Sequence, residues 1–158
     1  SLQDFAVMSI KSPRIAVRAV IVHDGRLLLV NAWSNGRSRL LCAPGGGAMP
    51  GSSLPENLAR EVQEETGLRV RVGVPCLINE FHDPRSGFHQ VEVFFRCSVE
   101  GSTVIPKDWK DVENVVSEHH WVSEQEIGAL QVKPSALIAV AFNADAALSY
   151  DPLERIVM

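Results

Sequence analysis

The sequence predicts an α/β sandwich, on three observations. Two Val-, Ile- and Leu-rich runs flank Asp24-Gly25, residues 91–98 alternate between apolar and polar, and one strongly capped helix occupies residues 54–66. Strands interspersed with few helices bury their apolar faces against those helices, which gives layers. At 158 residues the chain is long enough for one well-buried core and short for two. It is read as a single domain over residues 1–158, with residues 1–13 an N-terminal extension or an expression remnant, because Ser1-Leu2 lacks an initiator Met.

Residues 14–22 and 27–30 read as two strands, and Asp24-Gly25 between them is a hairpin signal. A polar loop at residues 34–39 leads to the short apolar run 40–43, which stops at Pro44 and three glycines. The next helix has its own punctuation: Ser53 and Glu56 at capping-box spacing, Pro55 in the first turn and Gly67 as the stop. Residues 68–81 read as one or two strands broken near residues 73–75, and residues 82–89, with Pro84 and Gly87, as a loop. Val91, Val93, Phe95 and Cys97 alternate with Glu92, Phe94, Arg96 and Ser98, a strand with one face more buried. Residues 101–114 form a longer loop, and both loops are candidates for substrate contact. A short strand at 119–122 runs into a second capping box, Ser123 to Glu126, and a terminal helix is expected at 134–148, apolar almost all round and therefore buried. There is no internal repeat or low-complexity tract.

Composition narrows the function classes. A net charge of -4 argues against a broad electrostatic footprint for a nucleic-acid polymer, so a phosphate-bearing ligand would be met through a cation. Cys42, Cys76 and Cys97 are odd in number and widely spaced, which favours neither disulfides nor a zinc knuckle and suits a reducing cytoplasm. No stretch has the length of a membrane span, and the N-terminus lacks a secretory pattern.

The chemistry concentrates in the helix. At roughly 100° per residue, Leu54, Leu58 and Val62 form an apolar stripe, with Glu61 and Glu65 at its edge and Glu64 one step further round. Three carboxylates crowd beside the core, two of them in the last turn, where the helix dipole disfavours negative charge. Arg60 reaches Glu64 at i+4, but one guanidinium cannot offset three acids. A hard divalent cation can, since Mg²⁺ binds carboxylate oxygens at about 2.0–2.1 Å and keeps sites for water and phosphate oxygens. An isolated Glu-Glu pair would be an ordinary solvated face. Pro44-Gly45-Gly46-Gly47, entering from a strand, changes that balance, because glycines let backbone amides approach a ligand closely.

Together these residues resemble the Nudix box: Gly, five residues, Glu, seven residues, then Arg-Glu-aliphatic-x-Glu-Glu-x-Gly-aliphatic. Gly46 opens it and Arg60 to Leu68 closes it with every specified residue matched. The departure is Ser52, which stands where the family has its early Glu, a group that supports the loop and the catalytic surroundings; Glu56 is out of register.

The resemblance implies a Nudix-type α/β/α sandwich with a central mixed β-sheet, and hydrolysis of a nucleoside diphosphate linked to another moiety. Glu61, Glu64 and Glu65, with the Gly45 backbone, would hold Mg²⁺ or Mn²⁺, and Arg60, Glu61 and Glu65 would serve catalysis. A loop acid is the candidate base, Glu118 first and Glu113 second. Gly46, Gly47, Arg37 and Arg39 are candidate phosphate contacts, and Trp33, Phe88 and Trp109 candidate stacking platforms. His119 and His120 are neighbours in a strand and point apart, so a shared zinc site is not expected. Pro84, 16 residues past Leu68, resembles a spacing of ADP-ribose pyrophosphatases; oxidised nucleoside triphosphates are the alternative substrates. The expected partner is a nucleotide-like small molecule, with no nucleic-acid polymer and no membrane, and a homodimer is left open. Ser52 keeps one rival in view, a weakly catalytic nucleotide-binding or sensor domain.

Overall fold

The computed structural model describes residues 12–34 and 36–155. In chain order the strands are β1 (Arg14–His23), β2 (Arg26–Asn31), β3 (Leu41–Cys42), β4 (Gly45–Gly47), β5 (Arg69–Asp83), β6 (Phe88–Glu100), β7 (His119–Ser123), β8 (Val132–Lys133) and β9 (Ser149–Arg155). The helices are α1 (Leu54–Thr66), α2 (Glu124–Ile127) and α3 (Ala136–Ala141). Strand order is β8-β3-β2-β1-β6-β5-β9, with β4 paired to β1 and β7 to β2. The sheet is mixed: β1/β6, β3/β8 and β5/β9 are parallel, while β1/β2 and β5/β6 are antiparallel. The β1/β2 hairpin turns at Asp24 and Gly25, φ 50° and 72°, the paired positive values that a two-residue I′ turn demands.

Both faces of the curled sheet are covered, which is why β1 and β2 are apolar almost throughout. Val17, Ala19, Ile21 and Leu28 pack with Leu58 and Val62 of α1. Val20, Leu27 and Leu29 face the other way, onto Leu137 and Val140 of α3. Leu58 and Val62 are fully buried, each contributing about 1.5–3 kcal/mol to fixing α1 on the sheet. Ser53 caps α1 by accepting from Glu56 N–H at 3.2 Å, and Gly67 ends it at φ 78°. The complete reciprocal box belongs to α2, between Ser123 and Glu126.

Several expectations need correction. The glycine run is not a loop but β4, paired with Ala16, Val17 and Arg18. Segment 82–89 is half strand, since β5 and β6 stay paired to His82 with His89 and Asp83 with Phe88, leaving residues 84–87 as the turn. The turn between them needs only four residues because Asp83 accepts from Arg85 N–H and Ser86 Oγ. β5 runs unbroken through residues 73–75, absorbing Gly73 and Pro75 as register shifts. The terminal helix is six residues, not fifteen: Arg96 takes the carbonyls of Val140 and Asn143, and the chain then extends into β9. The apolar run kept a helical pattern beyond the point where tertiary bonding ends the helix. Residues 1–11 of the expected extension lie outside the described residues. Cys42, Cys76 and Cys97 are free thiols, and among the described residues no helix is long and apolar enough to cross a membrane.

Candidate metal centre and active site

Two glycines let α1 press its carboxylates against the backbone of β4. At Gly45, φ is 151° and a Cβ would overlap the Val17 carbonyl oxygen; its N–H donates to Glu65 Oε2 at 3.0 Å. A Cβ on Gly46 would lie 2.9 Å from the Glu61 carboxyl carbon. The oxygen of Gly45 accepts from Arg18 Nη1 at 3.2 Å, so Arg18 ties the glycine strand to Glu92, which it meets at 2.7 Å.

Glu61, Glu64 and Glu113 offer carboxylate oxygens that all lie within 4.8 Å of one another. Arg60 Nη1 reaches Glu61 Oε1 at 3.4 Å and Glu64 Oε2 at 3.3 Å. Glu61 is 5% exposed, and its carboxyl is pushed above the usual range first by burial and then by Glu113, with Arg60 opposing and Glu64 adding. Glu65, 4% exposed, is pushed up to about 8, chiefly by burial, with Arg18 opposing and Glu61 and Asp111 adding. Crowded carboxylates with oxygen-only donors suit a hard divalent cation, and Glu61, Glu64 and Glu113 together can coordinate one.

Glu113 comes from a loop held at three points. Trp109 Nε1 donates to the Glu64 carbonyl at 2.8 Å, and its ring lies against Gly67. Buried Asp111 accepts from the N–H groups of Glu113, Val115 and Val116 at 3.0, 3.2 and 3.0 Å. Asn31 Oδ1 accepts from Ser117 and Glu118 N–H. Of the two loop acids, Glu113 joins the cluster, whereas the Glu118 side chain is 51% exposed and bonded to His120 at 3.4 Å. Trp109, a candidate stacking platform, is tied to α1 through its indole N–H and its ring contact with Gly67. His119 meets the Glu65 carbonyl and His120 meets Glu118, so the two rings do point apart. Trp109→Phe keeps the ring contact and removes the N–H; Mn²⁺ binding should weaken roughly 2–10-fold, the 0.5–1.5 kcal/mol of one hydrogen bond, in a titration followed by electron paramagnetic resonance.

A cavity of about 260 Å³ opens on the other face of β1, lined by Arg14, Arg18, Trp33, Asn79, Phe81 and Phe88 among others. It adjoins the glycine strand through Arg18 on Gly45 and Arg14 beside Gly47. Trp33 Nε1, a donor, and Asn79 Oδ1, an acceptor, are buried there without hydrogen-bond partners among the described residues. Trp33 and Phe88, named from sequence, thus share one cavity. Arg37 stacks over the Trp33 ring at 5.4 Å, and Arg39 is exposed. Asn57, Arg18, Asp111 and Asn79 were missed by sequence reasoning, since each acts through partners remote in the chain or looks like ordinary helix or strand polarity.

The chain is similar to known proteins in family and in fold. The NUDIX domain matches residues 12–141. An ADP-ribose pyrophosphatase of Methanocaldococcus jannaschii is 31% identical over 91 residues, 56% of this chain and 53% of that protein, so the match spans about half of the relative's length. A NUDIX hydrolase from Nitrosomonas europaea superposes with a TM-score of 0.68 at 26% identity, over 82% of this chain and 86% of that one. A MutT protein from Methanosarcina mazei Go1 does so with a TM-score of 0.62 at 26% identity, over 84% and 94%.

Proposed function

Because the chain belongs to the NUDIX domain family, with residues 12–141 matched, we propose that it is a metal-dependent hydrolase cleaving a phosphoanhydride bond in a nucleoside diphosphate linked to another moiety. The observation that carries this reading is the convergence of Glu61, Glu64 and Glu113 within 4.8 Å, with Glu61 packed against Gly46.

Glu61, Glu64 and Glu113 would hold Mg²⁺ or Mn²⁺, and Glu65 stays in the ligand set, its proton leaving when a cation binds. Such an ion offsets phosphate charge and lowers the pKa of an attacking water. Arg60 aligns Glu61 and Glu64. Either loop acid would serve as the base that takes the water proton: Glu113, carried against the cluster, when Glu61, Glu64 and Glu65 hold the ion, or Glu118 when Glu113 is itself a ligand. The cavity takes the nucleoside: Trp33 and Phe88 supply aromatic faces, and Trp33 Nε1 and Asn79 Oδ1 supply one donor and one acceptor for a base edge. Gly46 and Gly47, with Arg37 and Arg39 from the preceding loop, lie on the phosphate side of this reading.

ADP-ribose is the first substrate to test, supported by the name of the Methanocaldococcus jannaschii relative and by Pro84 in the β5/β6 turn. Oxidised nucleoside triphosphates come second. Across ADP-ribose, dinucleoside polyphosphates, nucleotide sugars and oxidised triphosphates, at least one compound should release a nucleoside monophosphate in a Mg²⁺-dependent manner. Phe88→Ala should raise KM for that compound roughly 5–100-fold, as loss of about 1–3 kcal/mol of stacking would do. Ser52, in place of the box Glu, favours the second reading, a binding or sensor domain; nucleotide binding without turnover on any compound would establish it.

A further inference from the structure

Between β4 and α1 the chain makes a loop of residues 48–53, and this loop is organised from inside the helix. Asn57, one turn into α1, is 1% exposed. Its Oδ1 accepts from Met49 N–H at 2.8 Å and from Arg60 Nη2 at 3.2 Å. Its Nδ2 faces the carbonyl oxygens of Met49, Ser52 and Ser53 at 3.3, 3.2 and 2.9 Å. The partners fix which way the amide points, since donors surround its oxygen and acceptors its nitrogen.

A buried Asn in a helix interior is less favourable than Ala by helix propensity and needs hydrogen bonds to offset its desolvation. Five contacts to one amide supply them. One goes to the guanidinium whose other nitrogen holds Glu61 and Glu64. A line of contacts therefore runs from the loop through Asn57 and Arg60 to the carboxylates that meet Glu113. Ser52 enters the same network through its carbonyl, while its side chain is exposed.

We propose that Asn57 is a positioning residue of the acidic centre: one buried amide locks the 48–53 loop and presents Arg60 to Glu61 and Glu64 in the orientation that gathers the three carboxylates. The proposal rests on the reading of that cluster as a metal site. A neutral amide does this without adding a fourth negative charge beside Glu61, Glu64 and Glu113.

The test is a double-mutant cycle on the full chain, with Mn²⁺ alone as probe and electron paramagnetic resonance as readout. Asn57→Ala should weaken Mn²⁺ binding roughly 10-fold or more and lower kcat with little change in KM, as loss of a residue supporting metal ligands does. In an Arg60→Gln background the same change should alter Mn²⁺ affinity less than about twofold, because the two residues act in series. An equal effect in both backgrounds, or none in the wild type, overturns the proposal. Wild-type protein that binds no Mn²⁺ refutes the metal reading instead. The Asn57 claim is then decided without metal by the Arg60 Nε–H resonance, expected to be resolved in the wild type and averaged in Asn57→Ala; an unchanged resonance overturns it. If Asn57→Ala does not fold, Asn57→Ser is carried through the same cycle with the same criteria.

Discussion

Glu61→Gln will lower Mg²⁺-dependent turnover by at least about 10³-fold and at the same time stabilise the metal-free protein near neutral pH. The first effect follows from position: Glu61 touches Gly46, takes one contact from Arg60 and faces Glu64 and Glu113. Gln keeps the shape and loses the charge, so a cation held there loses one anionic ligand. Metal ions supply several kcal/mol of transition-state stabilisation, and about 4 kcal/mol is about 10³-fold in rate. The second effect has the opposite sign. Burial, Glu113 and Glu64 raise the Glu61 carboxyl and outweigh the opposing pull of Arg60, so at neutral pH ionisation is harder in the folded chain than in the unfolded one. Removing the charge removes that penalty. Initial rates with Mg²⁺, set beside urea unfolding in chelator, read both effects. Turnover retained within tenfold would refute the metal site, and a stabilised variant with full activity is what a merely structural acidic helix would give.

The acids of α1 were legible in the sequence because a helix is a local object. Ser53, Pro55 and Gly67 delimit it, and the 3.6-residue period places Glu61 and Glu65 at the edge of the Leu58–Val62 stripe. The β1/β2 hairpin was legible for the same reason, Asp24-Gly25 being a turn signal that needs no distant partner. Glu113 was ranked below Glu118 because the loop takes its shape from afar: from Asp111 folding back on three N–H groups, Trp109 docking on Gly67, and Asn31 collecting Ser117 and Glu118. The short strand β8 and the terminal β9 depend on pairing with β3 and β5, and neither carries an alternating pattern strong enough to announce itself. The glycines of β4 read as a loop because their strand character comes from pairing with β1, not from propensity. Asn57 illustrates the same limit at one residue: its type is unremarkable in a polar helix, and only the fold reveals five partners around it.

Raising the pH of chelator-treated protein from about 5 to about 8 will lower its unfolding free energy by a few kcal/mol, and Glu65→Gln will remove most of that slope. Glu65 is buried under Arg18 and the Gly45 amide, and its carboxyl rises from an ordinary 4.5 to about 8. Between those values the folded chain keeps a proton that the unfolded chain has released, so stability falls as pH rises through the window and levels off above it. Glu61 is shifted in the same direction and steepens the fall. Glu80, Asp83 and Glu126 are shifted the other way, chiefly by bonds to Tyr150, Arg85 N–H and Ser123. Their contribution is present above the ordinary carboxylate range and is lost only at more acid pH, so it leaves the window to Glu65 and Glu61. Urea unfolding at several pH values in chelator measures the slope; a flat or rising profile, or an unchanged slope in Glu65→Gln, would contradict a protonated, buried Glu65. Repeating the series with Mg²⁺ tests the link to function. A cation that takes the place of the proton restores stability at the alkaline end, so the gain on adding Mg²⁺ should grow with pH across the same window.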